Sequence, residues 1–326
     1  MTPSPTRLLW TYTTLLLTAL IWGGTWIAGR VLVQEVAPFT AAALRFLFAS
    51  LAMGIVVWRL EPQAFRLPRA DWLAAFWLGL TGVFAYNFFF MIGLQHIAAG
   101  RGSLVVALNP VVVALAAWVF LNEPLRQKQW LGIAIALIGC VIVLGNGDPR
   151  RFFTGAIGIG ELLIIGCVFA WTSYTLQCKN VSRRASVIAS PLATNFWACA
   201  SGCTMLCLAA LVESLYGLHA GLNAHHTLIQ LAELSNTAWA CILYLGVAGS
   251  ALSYTWYTQG IQKIGATRAA AFINFVPVFG VALGGLLLQE QLPASVYVGG
   301  GLILLGVTLT NRQKIDPPNL HSSKLT

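Results

Sequence analysis

Apolar stretches recur along the chain at about Trp10–Ala28, Ala37–Trp58, Trp72–Leu94, Ser103–Leu121, Trp130–Leu144, Gly155–Leu176, Ile188–Leu215, Ala238–Tyr257, Ala266–Leu288 and Ala294–Thr310, with short polar connectors between them. A helix needs about 20 apolar residues to cross a bilayer. The pattern therefore predicts an all-α membrane protein of ten transmembrane helices. Glycine clusters such as Gly280, Gly284 and Gly285, and Gly299 to Gly301, would let helix backbones approach closely where lipid supplies no hydrophobic drive. The run after Arg7 resembles a signal peptide, but so many similar runs follow that it reads as the first anchor.

Composition closes off the soluble alternative. Of 326 residues 58% are hydrophobic and 9% charged, and the mean hydropathy is +0.76, whereas a soluble domain is about a quarter charged. The net charge of +9 would suggest nucleic acid in a soluble protein. Here the basic residues fall between apolar runs, so they report topology, and no nucleic-acid partner is expected. With the N-terminus inside, Arg30, Arg101, Arg150 and Arg151 fall outside, Arg45 lies within a span, and every other Lys and Arg falls inside. Both termini are thus expected in the cytoplasm. The 7 cysteines lie almost wholly in apolar runs without a C-x-x-C, and His219, His225 and His226 occupy the longest connector, so neither a disulfide framework nor a metal or cofactor site is expected.

Self-comparison adds the most. Sliding the chain by 167 residues places Gly79–Val143 on Gly246–Thr310 without a gap, with matches at Gly82/Gly249, Gln95/Gln262, Arg101/Arg268, Pro110/Pro277, Glu123/Glu290, Gly132/Gly299 and Gly139/Gly306. The third to fifth helices therefore repeat as the eighth to tenth. Five helices per half is an odd number, so the second half is expected to enter the membrane upside down. Inverted repeats are characteristic of carriers that alternate access around a midplane site. The expected units are 1–147, 148–312 and a cytoplasmic tail, 313–326.

The residues resemble those of the drug/metabolite transporter superfamily, specifically its ten-helix EamA-type members. The likeness runs from Ala19–Gly23 through Leu44–Phe46, Asn109–Pro110, Leu121–Leu125, Gly160–Glu161 and Thr267–Ala269 to Pro277 and Glu290. Gln291 departs from the Pro124 of the first half, and the third and eighth helices are unusually aromatic. The resemblance implies secondary export of amino acids or related small metabolites across a bacterial inner membrane. Import of another small solute, a scaffold or a passive channel stand as alternatives. The partners so implied are a small-molecule solute and the lipid bilayer; substrate identity, coupling ion and oligomeric state stay open at this level.

Chemistry within the spans is sparse. Pro110 and Pro277 each remove a backbone donor and are expected to kink the fourth and ninth helices, with Asn109 and Asn274 beside them as hydrogen-bonding groups. Arg45 is costly at membrane depth, and either a substrate carboxylate, snorkelling or a structural partner would offset that cost. Tyr86, Asn87, Tyr254 and Trp256 in the third and eighth helices, with Trp22, Trp171 and Tyr174 in the first and sixth, suit either a solute or the headgroup belt. Glu161 is a candidate coupling residue, or a carboxylate complementing its helix dipole. The chain contains neither a phosphate-cradling G-x-x-x-x-G-K-[ST] loop nor H-E-x-x-H, which argues against an ATP-driven pump and against an enzyme.

Overall fold

A computed structural model describes residues 5–148, 158–220, 227–264 and 266–311. Arg150, Arg151, His225, His226, Arg312, Lys314, Lys324 and the tail from 313 lie outside the described residues, as does the His219 side chain. Among the described residues every regular element is helical. Eight helices are long and apolar enough to cross a membrane: α1 (Leu8–Glu35), α2 (Pro38–Leu60), α3 (Arg69–His96), α4 (Ala99–Leu121), α5 (Gln127–Leu144), α6 (Ile159–Val181), α7 (Pro191–Gly217) and α8 (Asn236–Gly260). Two shorter apolar helices follow, α9 (Ala271–Leu287) and α10 (Ala294–Thr310).

Helix ends differ from the hydropathy pattern where local capping chemistry sets them. Pro38 and Pro191 open α2 and α7, where a missing N–H costs nothing. The polar turn at Gln127 to Gln129 joins α5, and the Gln129 side chain receives the Arg126 N–H at 2.9 Å. The surface is studded with exposed apolar side chains, among them Trp10, Ile55, Phe120, Leu131 and Leu286, as a lipid-facing exterior requires.

The helix pairings form a pattern. The most extensive packed pairs are α1 with α8 and α9, α6 with α3 and α4, α2 with α7 and α8, α3 with α7, α4 with α9, and α5 with α10, while smaller contacts such as α1 with α3 fall outside this pattern. Exchanging each helix with the one five places on returns the same set. The α5–α10 crossing shows why glycine recurs there: a Cβ on Gly132 would lie 2.7 Å from the Gly306 carbonyl oxygen, and one on Gly139 would lie 2.6 Å from that of Gly299. Under the 167-residue shift these two contacts exchange with each other.

Both proline sites are sharper than kinks. Helix α4 is interrupted by a turn at Ala107–Leu108 and restarts at Asn109 with Pro110 in its first turn. Helix α9 is interrupted at Asn274–Phe275 and restarts at Val276 with Pro277 in its first turn. A proline is tolerated in a first turn, where its missing donor has no intrahelical partner anyway. Two further departures also fall in register. The α3 segment Leu80–Ala85 and the α8 segment Tyr244–Leu252 are wound as π-helix, a form frequently found at functional sites. Gly82 and Gly249, matched in the repeat, lie inside them.

Candidate functional site

The interrupted and π-wound segments surround a cavity of about 880 Å³, within the ~300–1,000 Å³ typical of small-molecule sites. Its wall includes Trp22 and Trp26 of α1, Arg45 and Phe46 of α2, Tyr86, Asn87 and Phe90 of α3, Asn109 and Pro110 of α4, Trp171 of α6, Tyr254 of α8, and Asn274 and Pro277 of α9. Both halves thus contribute. Tyr174, Trp256 and Glu161 do not line it. Tyr174 stands behind the wall, its ring 5.3 Å from that of Trp171 and its hydroxyl donating to Asn195 Oδ1 at 2.8 Å. Glu161 instead pairs with Arg101 at 3.0 Å, both side chains at most 15% exposed, and Arg101 also donates to the Leu144 carbonyl. Its carboxylate ties α6 to α4.

Arg45 does not snorkel. It is 8% exposed, and Asn87, beside it, 2%. Its Nη1 donates to Asn87 Oδ1 at 3.3 Å, and Asn87 Nδ2 donates to the Val83 carbonyl at 2.7 Å, inside the π-wound segment. The widened turn thus orients the asparagine, and the asparagine orients the guanidinium. The guanidinium carbon sits 5.0 Å from the Phe46 ring centre and 5.8 Å from that of Phe90, so ring faces supply part of the lost hydration. Its Nε, also buried, has no hydrogen-bond partner. Asn109 Oδ1, at the α4 restart, is likewise buried without one.

Aromatic rings form the rest of the wall. Trp26 packs edge-on against Phe90 at 5.0 Å, Phe90 stacks on Tyr86 at 5.9 Å, and Tyr86 meets Trp171 at 5.7 Å. Across the cavity Trp22 meets Tyr254 at 5.5 Å and donates its indole N–H to the Gly249 carbonyl at 2.9 Å. The second π-wound segment thus uses its Gly249 carbonyl to fix a ring. Trp22 and Trp26, four residues apart, present one helical face, as do Tyr86 and Phe90.

The two ends of the cavity differ. One is rimmed by Glu123, Pro124, Arg126 and Lys179; Pro124 and Arg126 are exposed, and Glu123 pairs with Lys179, their side chains 44% and 40% exposed. At the other end the Glu290 carboxylate receives the Ala99 N–H at 2.7 Å and the Gly100 N–H at 2.9 Å, capping α4 from the far half. The Arg101–Glu161 pair lies beside it. Neither Glu290 nor Arg101 reaches the cavity wall, so the cavity stops short of these two side chains. Glu123 and Glu290 project from equivalent turns: Asn122 (φ 53°) and Gln289 (φ 52°) are both left-handed, and the next N–H returns to the Ala117 and Gly284 carbonyls respectively.

Thr175 and Lys179 also line the wall; in the sequence only their spacing from Trp171, four and eight residues along α6, marks them.

A multi-pass, all-helical membrane protein with a polar and aromatic cavity between two matching halves has the form of a solute carrier. The chain belongs to the EamA-like transporter family, whose model matches residues 9–145 and 158–312, within the drug/metabolite transporter superfamily. It is 28% identical over 287 residues to the uncharacterized transporter YyaM of Bacillus subtilis (strain 168), covering 87% of this chain and 88% of that one. It is 26% identical over 302 residues to the probable terminal-alkyne amino-acid exporter of Streptantibioticus cattleyicolor, covering 92% and 93%. A solved crystal structure superimposes with a TM-score of 0.62 at 18% identity, covering 92% of this chain and 96% of the other, a likeness of fold. The protein is a membrane transporter of small-molecule solutes, and these relatives are transporters and not enzymes.

Proposed function

We propose that the protein is a secondary transporter that exports amino acids or related small carboxylate metabolites from the bacterial cytoplasm by alternating access. The observation that carries this reading is Arg45: a buried guanidinium on the cavity wall with Asn87 as its hydrogen-bond partner and a free Nε. A carboxylate would satisfy that donor with a charge-assisted bond. Asn87, Asn109 and Asn274 add neutral polar contacts, Trp22, Tyr86, Trp171 and Tyr254 the apolar body of the site, and Pro110 and Pro277 the helix breaks that open it. The export direction rests on the family likeness and on the exporter from Streptantibioticus cattleyicolor.

In this reading ten helices cross the inner (plasma) membrane as two inverted five-helix repeats, 1–147 and 148–312, with the 313–326 tail and the N-terminus in the cytoplasm. The self-matching helix pairs and the exchanged glycine contacts support the two-fold arrangement, and the placement of basic connectors supports the orientation. The end rimmed by Glu123 and Lys179 is then the cytoplasmic one, and Glu290 seals the outer one. The reverse state follows from the repeat: Glu123 leaves Lys179 and caps the N–H groups of Ala266 and Thr267, the counterparts of Ala99 and Gly100.

Reconstituted vesicles test the reading. Saturable uptake of a labelled amino acid or carboxylate, stimulated by the same solute inside and lost in R45Q, is the expected result. Flux that neither saturates nor responds to counterflow would indicate a channel, and absence of flux for every carboxylate tried would indicate a scaffold.

A further inference from the structure

The charge balance around Arg45 narrows the solute further. Of the cavity-lining residues Arg45, Arg126 and Lys179 are cationic, and Glu123 is the one carboxylate, already held by Lys179 at the rim. The other acids with defined partners are engaged elsewhere: Glu161 with Arg101, Glu290 with the α4 amides, Glu213 with the Phe39 and Thr40 amides, Asp71 with Arg184, Glu35 with Ser235 and Glu61 with Ser190. An α-amino acid bound by its carboxylate to Arg45 carries its ammonium on the adjacent carbon. That ammonium cannot leave the neighbourhood of the guanidinium, and no lining carboxylate stands there to receive it. The Phe46 and Phe90 ring faces are already taken up by the guanidinium. Like charges brought together in a desolvated site are strongly disfavoured.

Accordingly we infer that the cavity selects solutes with one carboxylate, a flat apolar body and no ammonium group, such as N-acylated or deaminated aromatic acids, over the corresponding zwitterionic amino acids. This refines the carboxylate reading above and rests on it. The unpartnered Asn109 Oδ1 adds a preference for an N–H donor in the solute. An N-acyl group supplies that donor while removing the positive charge.

A ladder of matched ligands on the full-length protein in nanodiscs tests this, read by quenching of tryptophan fluorescence, since Trp22, Trp26 and Trp171 line the cavity. The probes are N-acetylphenylalanine, 3-phenylpropanoate, phenylalanine and 3-phenylpropanamide. The expected order is N-acetylphenylalanine, then 3-phenylpropanoate, each at least about tenfold tighter than phenylalanine, with the uncharged amide weakest. Asn87→Asp, which sets a carboxylate beside the guanidinium, is expected to reverse the preference in favour of phenylalanine. If wild-type protein binds phenylalanine as tightly as the two anions, the selection is refuted while the carboxylate reading stands. If the amide binds as tightly as 3-phenylpropanoate, or none of the four binds, the carboxylate reading falls and the selection with it.

Discussion

At the scale of single residues, the spans spend almost every charge on structure. Glu161 is the clearest case, because a coupling role and a structural role predict different outcomes. Its carboxylate meets Arg101 at 3.0 Å in a setting at most 15% exposed, away from the cavity wall. Leaving one partner of such a pair uncompensated costs about 3–5 kcal/mol where burial is complete, and somewhat less here. Glu161→Gln should therefore lower the thermal stability of the detergent-solubilised protein, and E161Q combined with R101M should recover much of the loss. Transport by the surviving E161Q protein should keep whatever dependence on the proton gradient the wild type has. A proton-dependence abolished in E161Q at normal stability would restore the coupling role. Arg45 is the contrasting residue: its type and depth were plain from sequence, but its direction was not. The turn that aims it runs through Asn87 into a π-wound segment, a winding that leaves no mark in residue type.

At the scale of helices, glycine placement decides how closely elements approach. On α5 and α10, Gly139 and Gly299 pack backbone against backbone, whereas Gly301, two residues further along α10, has nothing within 4 Å of the point where a methyl group would stand. Gly139→Val should displace α10 and cost at least about 1–3 kcal/mol as overpacking, seen as a lower aggregation temperature; Gly301→Ala should leave it unchanged. Equal effects would mean that glycine serves flexibility here and not contact. The periodic glycines, the apolar runs and the 167-residue register were legible in the sequence because packing and lipid select residue type directly. The extent of the breaks was legible only in part. Pro110 and Pro277 marked where α4 and α9 lose a donor, but two-residue interruptions depend on how neighbouring helices satisfy the freed carbonyls. The cavity wall was harder still: Trp256 and Tyr174 share residue type and depth with Tyr254 and Trp171, and only helix rotation separates those that face the cavity from those that do not.

At the scale of the whole molecule, the two halves share a sequence pattern and hold it in unequal contacts. Under the alternating access proposed above, that inequality is what a two-state carrier requires, since a ligand shifts an equilibrium only through contacts that differ between its states. Glu290 and Glu123 stand on equivalent left-handed turns, yet one caps a helix and the other faces a lysine at an open rim. Removing a helix-capping carboxylate costs about 0.5–2 kcal/mol, enough to move a balanced equilibrium roughly 2–30-fold. Ser103 reports the shift, being 2% exposed, on the cavity wall and one turn inside the Glu290 cap. In a background otherwise free of cysteine, Ser103→Cys should react slowly with an impermeant maleimide added outside intact cells. Adding E290Q weakens the outer seal and should speed that reaction several-fold. Adding E123Q removes the cap from the opposite state and from this one only a half-exposed ion pair with Lys179, worth at most about 1 kcal/mol, so it should deepen the bias toward the proposed cytoplasmic opening and slow the reaction. The opposite signs are the decisive feature, because a general loosening of the fold would accelerate labelling in both variants, whereas two caps exchanged by one rocking motion must push the equilibrium in opposite directions.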